Sequence, residues 1–148
     1  MRDSVVQVTV SGLIGAFIIN SSIYILQLLG INVLAPWLIA ANVFLEQDLV
    51  TTTLGIIIGL VGTVGLSIAS ATIILLLLRW TGYDYAILKG IIGVNAFSFS
   101  TMGLFMPLLN ITPSIRSQPL TNIIALSVLT LTGAILGALL KRFSVTVK

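Results

Sequence analysis

The sequence predicts an all-α polytopic membrane protein, with four transmembrane helices plus a short outer-face interfacial or re-entrant helix in one integral membrane domain. Three observations lead there. Of 148 residues 57% are hydrophobic and 7% charged, with a mean hydropathy of +1.19. A soluble domain carries about 25% charged residues, so this chain could not cover a water-facing surface. The few charges stand at the ends of long apolar runs, and four of those runs reach the ~20 residues that cross a hydrocarbon core of ~30 Å.

The first run, Val8 to Leu29, would reach about 33 Å as a helix. Arg2 gives it a cationic start, but Asn20, Ser21, Ser22 and Gln27 suit a retained span better than the short apolar core of a signal peptide. The stretch INVLAPWLIAANVFL, residues 31–45, follows almost at once. It would reach only about 22 Å, and Pro36 removes a backbone donor and disfavours helix in the residue before it. A short helix over residues 36–45 is therefore expected, with Pro36 in its first turn and Trp37 at headgroup depth, lying on the membrane or dipping into the bundle. Glu46 and Asp48 return the chain to water.

The second span runs from Leu54 to Leu78, with capping candidates at Thr51 to Thr53 and with Arg79 and Trp80 at its far end. The third covers Ala86 to Met106; Lys89 lies one turn inside, where its stem can snorkel outward, and Pro107 is expected to stop the helix. Pro107, Pro113 and Pro119 mark the next loop as an extended cap. The fourth span, Leu120 to Leu140, ends at Lys141 and Arg142. Four spans put both termini on one side. With that side inside, the inner segments hold Arg2, Arg79, Lys89, Lys141, Arg142 and Lys148 and the outer ones only Arg116, the asymmetry of a protein with cytoplasmic termini.

Small residues recur at helix-packing spacings. Gly55 and Gly59 form GIIIG, with Gly62 and Gly65 continuing the row; Gly133 and Gly137 form GAILG, which leaves Leu136 for lipid; Gly93, Ala96, Ser100 and Gly103 form a stripe on the third span. Such residues let backbones touch, within the bundle or between subunits. Asn20, Tyr24 and Gln27 share one face of the first span, and Asn95 and Ser98 lie mid-way along the third. An amide facing lipid would be left unsatisfied at a cost of several kcal/mol, so these side chains should point inward. They form interhelical locks or, between the first and third spans, a small polar site.

The inventory excludes much chemistry. The chain has no Cys and no His, so thiolate and imidazole metal sites and the usual general base near neutral pH are missing. None of the eleven charged residues falls mid-span, where proton relays, ion coupling and voltage sensing need one. Small multidrug exporters also have four spans, but the carboxylate of their first span has no counterpart. Intramembrane proteases require buried aspartates or a His. No catalytic residue, metal or cofactor is expected, the net charge of +3 is read as headgroup contact rather than nucleic-acid binding, and the protein is not expected to be an enzyme.

GLIGA in the first span, the Pro36–Trp37 segment, LLLLRW leading through a short basic turn to ILKGIIG, and a proline-bearing loop before the last helix form a layout that resembles the YqhR-like membrane proteins of Gram-positive bacteria. The resemblance implies four spans and a bacterial cell-membrane location, and no particular reaction. The expected function is that of a structural or accessory subunit packing through small-residue helix faces, with the bilayer, a second copy or another membrane protein as partner. The alternative is a small transporter or channel for a neutral or polar solute, lined by Asn20, Gln27, Asn95 and Ser98.

Overall fold

A computed structural model describes residues 3–145 except 113, 114 and 116. The helices are α1 (Ser4–Leu28), α2 (Pro36–Ala41), α3 (Thr53–Thr81), α4 (Ala86–Ser100), a π-turn (Thr101–Phe105) running into the single turn α5 (Met106–Leu108), and α6 (Pro119–Val145). Among the described residues there is no strand. Four helices, with α4 to α5 taken as one, are long and apolar enough to cross a membrane, which makes this a multi-pass membrane protein. Arg2, Arg116 and Lys148, which enter the charge asymmetry, and Pro113 of the loop lie outside the described residues.

Spans α1, α3 and α6 outrun their apolar cores because polar caps and terminal turns extend a helix beyond the hydrocarbon. Asp3 caps α1 by accepting the Val5 N–H at 2.8 Å, and Thr52 caps α3 by accepting from Gly55 at 3.1 Å. The start of α1 meets the ends of both α3 and α6: Arg79 donates to Ser4 Oγ, and Ser144 Oγ donates to Gln7 Oε1 at 3.4 Å. This is the terminal face of the bundle. Lys89 turns back toward the terminal face and donates to the carbonyls of Thr81 and Gly82 at 3.0 and 2.8 Å. It thereby satisfies the open C-terminal end of α3, where a cation is favoured by the helix dipole.

At the opposite, loop face the chain leaves α1 through a Schellman cap. Gly30 takes φ +80°, with its N–H on Gln27 O and the Ile31 N–H on Leu26 O. The next residues are extended and enclosed, Val33 and Ala35 being buried. Non-helical backbone at such depth needs partners from the protein. Gln27 Nε2 donates to Val33 O at 2.9 Å, and the Leu34 N–H reaches Thr121 Oγ1 at 3.4 Å.

Helix α2 begins at Pro36, as expected, but ends at Ala41 rather than at Leu45. Asn42 stops it: Nδ2 turns to Leu45 O at 3.1 Å, while Oδ1 accepts the Thr112 N–H at 2.7 Å. Helix α2 is re-entrant. Ala41 is 0% exposed, and α2 lies against Gly59 and Gly62, the latter about 14 Å along α3 from Thr53 at ~1.5 Å per residue.

Pro107 does not stop the third span, which continues to Leu108. In a regular α-helix its ring would clash with the carbonyl four residues earlier. The π-turn resets that register, and the Met106 N–H bonds Thr101 O instead. The following loop is not extended throughout, since Asn110 and Thr112 take φ +53° and +43°.

The bundle core, built on Ile74, Leu75, Leu78, Val94, Leu136 and Leu140, lies toward the terminal face. Leu136 is 0% exposed and so does not face lipid. Helix α6 buries two adjoining faces: Gly133 and Gly137 against α4, and Leu136 over Gly15 of α1.

Candidate functional site

The polar residues of the spans resolve into pairs. Asn20 Nδ2 donates to Thr63 Oγ1 on α3 at 2.9 Å, and Asn95 Nδ2 donates to Thr130 Oγ1 on α6 at 3.1 Å. Gln27 serves the re-entrant backbone. Tyr24, on the same side of α1, is 54% exposed. Helix α1 packs on α3 and α6 and scarcely touches α4. Asn20, Gln27, Asn95 and Ser98 therefore do not line one site between the first and third spans. The reason is geometric: the spans follow one another around the bundle in chain order, so the first and third stand diagonally opposite, and Asn20 and Asn95 each found a hydroxyl on an adjacent helix.

The glycines close contacts inside the chain. A Cβ at Gly55 would come within 2.4 Å of Leu49 O, and one at Gly59 within 1.9 Å of Trp37 O. Gly62 faces Ala40, Gly133 faces Gly90, and Gly137 faces Ala86 and Gly90, whereas Gly65, expected to continue the row, stands exposed with open space around it because α2 ends before reaching it. Real Cβ atoms do not approach so closely, so α4 can lie on α6, and α2 on α3, only through bare backbone. Gly12, Gly15 and Gly90 do the same work, and sequence reading did not single them out. GLIGA in α1 and ILKGIIG in α4 carried the signal, as small residues three or more apart.

The stripe on the third span divides. Gly93 is buried against Ile74, whereas Ala96, Ser100 and Gly103 are exposed, and around Gly103 there is open space. Comparison of the chain with family models, curated proteins and solved structures finds no match.

Two features stand out on either side of α4. Outward lies the small-residue strip Ala96, Ser100 and Gly103, flanked by Phe99 and Leu104, both exposed. Inward lies a half-open pocket of about 120 Å³ whose lining includes Thr63, Ser67, Ser70, Ser98 and Thr101. Of these only Ser98 was legible as a candidate. A lone Ser or Thr in a span usually bonds its own helix, and its sequence position does not tell which cavity it borders.

Proposed function

We propose that this chain is a structural or accessory subunit of a membrane complex and that it associates through the outward strip of α4. The observation that carries the reading is the exposure of Ala96, Ser100 and Gly103 on one face, while the glycines at Gly55, Gly59, Gly133 and Gly137 are already covered within the chain. A small-residue strip in lipid permits close backbone approach to a partner helix, and Phe99 and Leu104 supply side chains to fill the grooves beside it. In this reading both termini are cytoplasmic, supported by the six-to-one distribution of Lys and Arg, and the membrane is a bacterial cell membrane, supported by the resemblance in layout.

The test is affinity recovery of the tagged chain from native membranes in mild detergent. Wild type should bring down a partner, or a second copy, in fixed stoichiometry. Ala96→Leu and Gly103→Leu should lose it with unchanged melting of the bundle, because both residues face away from the core. Because the chain has no Cys, Ser100→Cys gives a unique cross-linking position for the same interface. Recovery of the chain alone, as a monomer, would end this reading.

A further inference from the structure

The cavity behind α4 has the make-up of a binding site. It lies at mid-depth: Ser67 is the middle residue of α3, and Ser98 and Leu129 border the same space from α4 and α6. The re-entrant helix forms part of the wall through Pro36, Ile39 and Ala40. The π-turn forms another part, through Thr101 and Met102. Single π-turns within α-helices are frequent at functional sites, because they displace side chains and carbonyls from the regular ladder. Its volume of about 120 Å³ is comparable with the roughly 150 Å³ cavity that admits one benzene, and is far above the ~15 Å³ of probe-occupied space a single water needs.

The wall is mostly apolar, with a few hydroxyls set on it. Ser70 Oγ donates to Leu66 O at 2.9 Å, and Thr101 Oγ1 donates to the carbonyls of Phe97 and Ser98 at 3.0 Å. Those two hydroxyls have their protons committed and keep lone pairs to offer. Ser98 is 6% exposed, and its hydroxyl has no partner among the described residues. Ser67 Oγ, packed on the backbone at Gly15, is likewise buried and unpartnered. Ser67 Oγ is closed off against Gly15 and offers nothing to an occupant, whereas the Ser98 hydroxyl keeps its proton free to donate. Among the described residues no Asp, Glu, Lys or Arg borders the space, and an ion there would lose its hydration without a counter-charge.

We infer that this cavity binds one small neutral polyol of about the size of glycerol, which accepts a hydrogen bond from Ser98 and donates to the hydroxyl oxygens of Ser70 and Thr101. Ile19, Ile39 and Leu129 hold its carbon skeleton. A longer polyol would have to extend out of the open side of the pocket. The site is independent of the association proposed above, since Ser98 and Ser100 lie on opposite sides of α4.

The experiment is saturation-transfer NMR on the chain in nanodiscs, with glycerol, ethylene glycol and sorbitol as probes. Glycerol and ethylene glycol should give saturable transfer above empty nanodiscs, and sorbitol should give weaker transfer. Ser98→Val, which fills the cavity and removes the hydroxyl, should lower the glycerol signal at least tenfold. Ser98→Ala, which keeps the space, should weaken it severalfold. Both variants are melted in parallel, and Ser98→Ala carries the test if Ser98→Val folds poorly. Transfer that is absent in wild type, equal for sorbitol, or unchanged in both variants overturns the inference. So does sodium broadening that Ser98→Ala abolishes, because it would make the occupant a cation.

Discussion

Asn95 shows what a single polar residue does in lipid. Its amide bonds Thr130 across the α4–α6 contact at 3.1 Å, so each group removes the other's unsatisfied valence. Interhelical bonds of this kind are worth about 0.6 to 2 kcal/mol, because the unfolded chain in the membrane also finds partners. Asn95→Leu should cost that much in reversible unfolding, and Thr130→Val about the same. The double variant should cost little more than either, since the second change removes nothing further. Additive losses would show that the two side chains act separately. Gln27 is a different case, because its partner is backbone: Gln27→Leu leaves Val33 O enclosed without a donor, at about 1 to 3 kcal/mol. Hydrogen exchange should then accelerate over residues 31–35, whose anchor to α1 is gone, more than over α4; uniform acceleration would place the effect elsewhere.

Between helices, contact is decided by the absence of side chains. Helix α6 crosses α4 where Gly133 and Gly137 meet Gly90 and Ala86, and a Cβ at Gly137 would stand 2.2 Å from Ala86 O. Backbone cannot yield as a flexible side chain can. Gly137→Leu should therefore destabilise the bundle by about 3 kcal/mol or more, the upper end of overpacking, whereas Ala138→Leu, on the exposed neighbouring face, should be near neutral. Leu136→Ala is expected to cost about 2 to 5 kcal/mol as a cavity in the core. Thermal aggregation midpoints of the three purified variants order these effects, and equal midpoints for Gly137→Leu and Ala138→Leu would mean that α6 packs by another face.

The whole molecule is organised along its long axis. Toward the terminal face the bundle is filled with Ile, Leu and Val; from mid-depth to the loop face it holds the amide pairs, the pocket and the re-entrant helix. Its orientation is testable because any introduced Cys is unique. Ser117→Cys, exposed at the loop face, should react with a membrane-impermeant maleimide on intact cells, and Ser144→Cys, beside Gln7 at the terminal face, only after permeabilisation. Labelling of both positions on intact cells would contradict four spans.

The sequence by itself determined the number of spans and the need for a broken segment at Pro36. Those depend on one-dimensional quantities: the length of apolar runs against bilayer thickness, and the missing N–H of proline. The glycines and amides were legible as packing and locking residues for the same reason, since any small or polar group in lipid must be explained. Tertiary structure alone decided the partners. In a soluble helix a polar face marks the outside, but here lipid and core are equally apolar, so periodicity does not say which stripe faces inward. That is why Leu136 proved buried and Ala96, Ser100 and Gly103 exposed. It is also why the space between Ser98 and Ser70 emerges only when α2, α3, α4 and α6 converge.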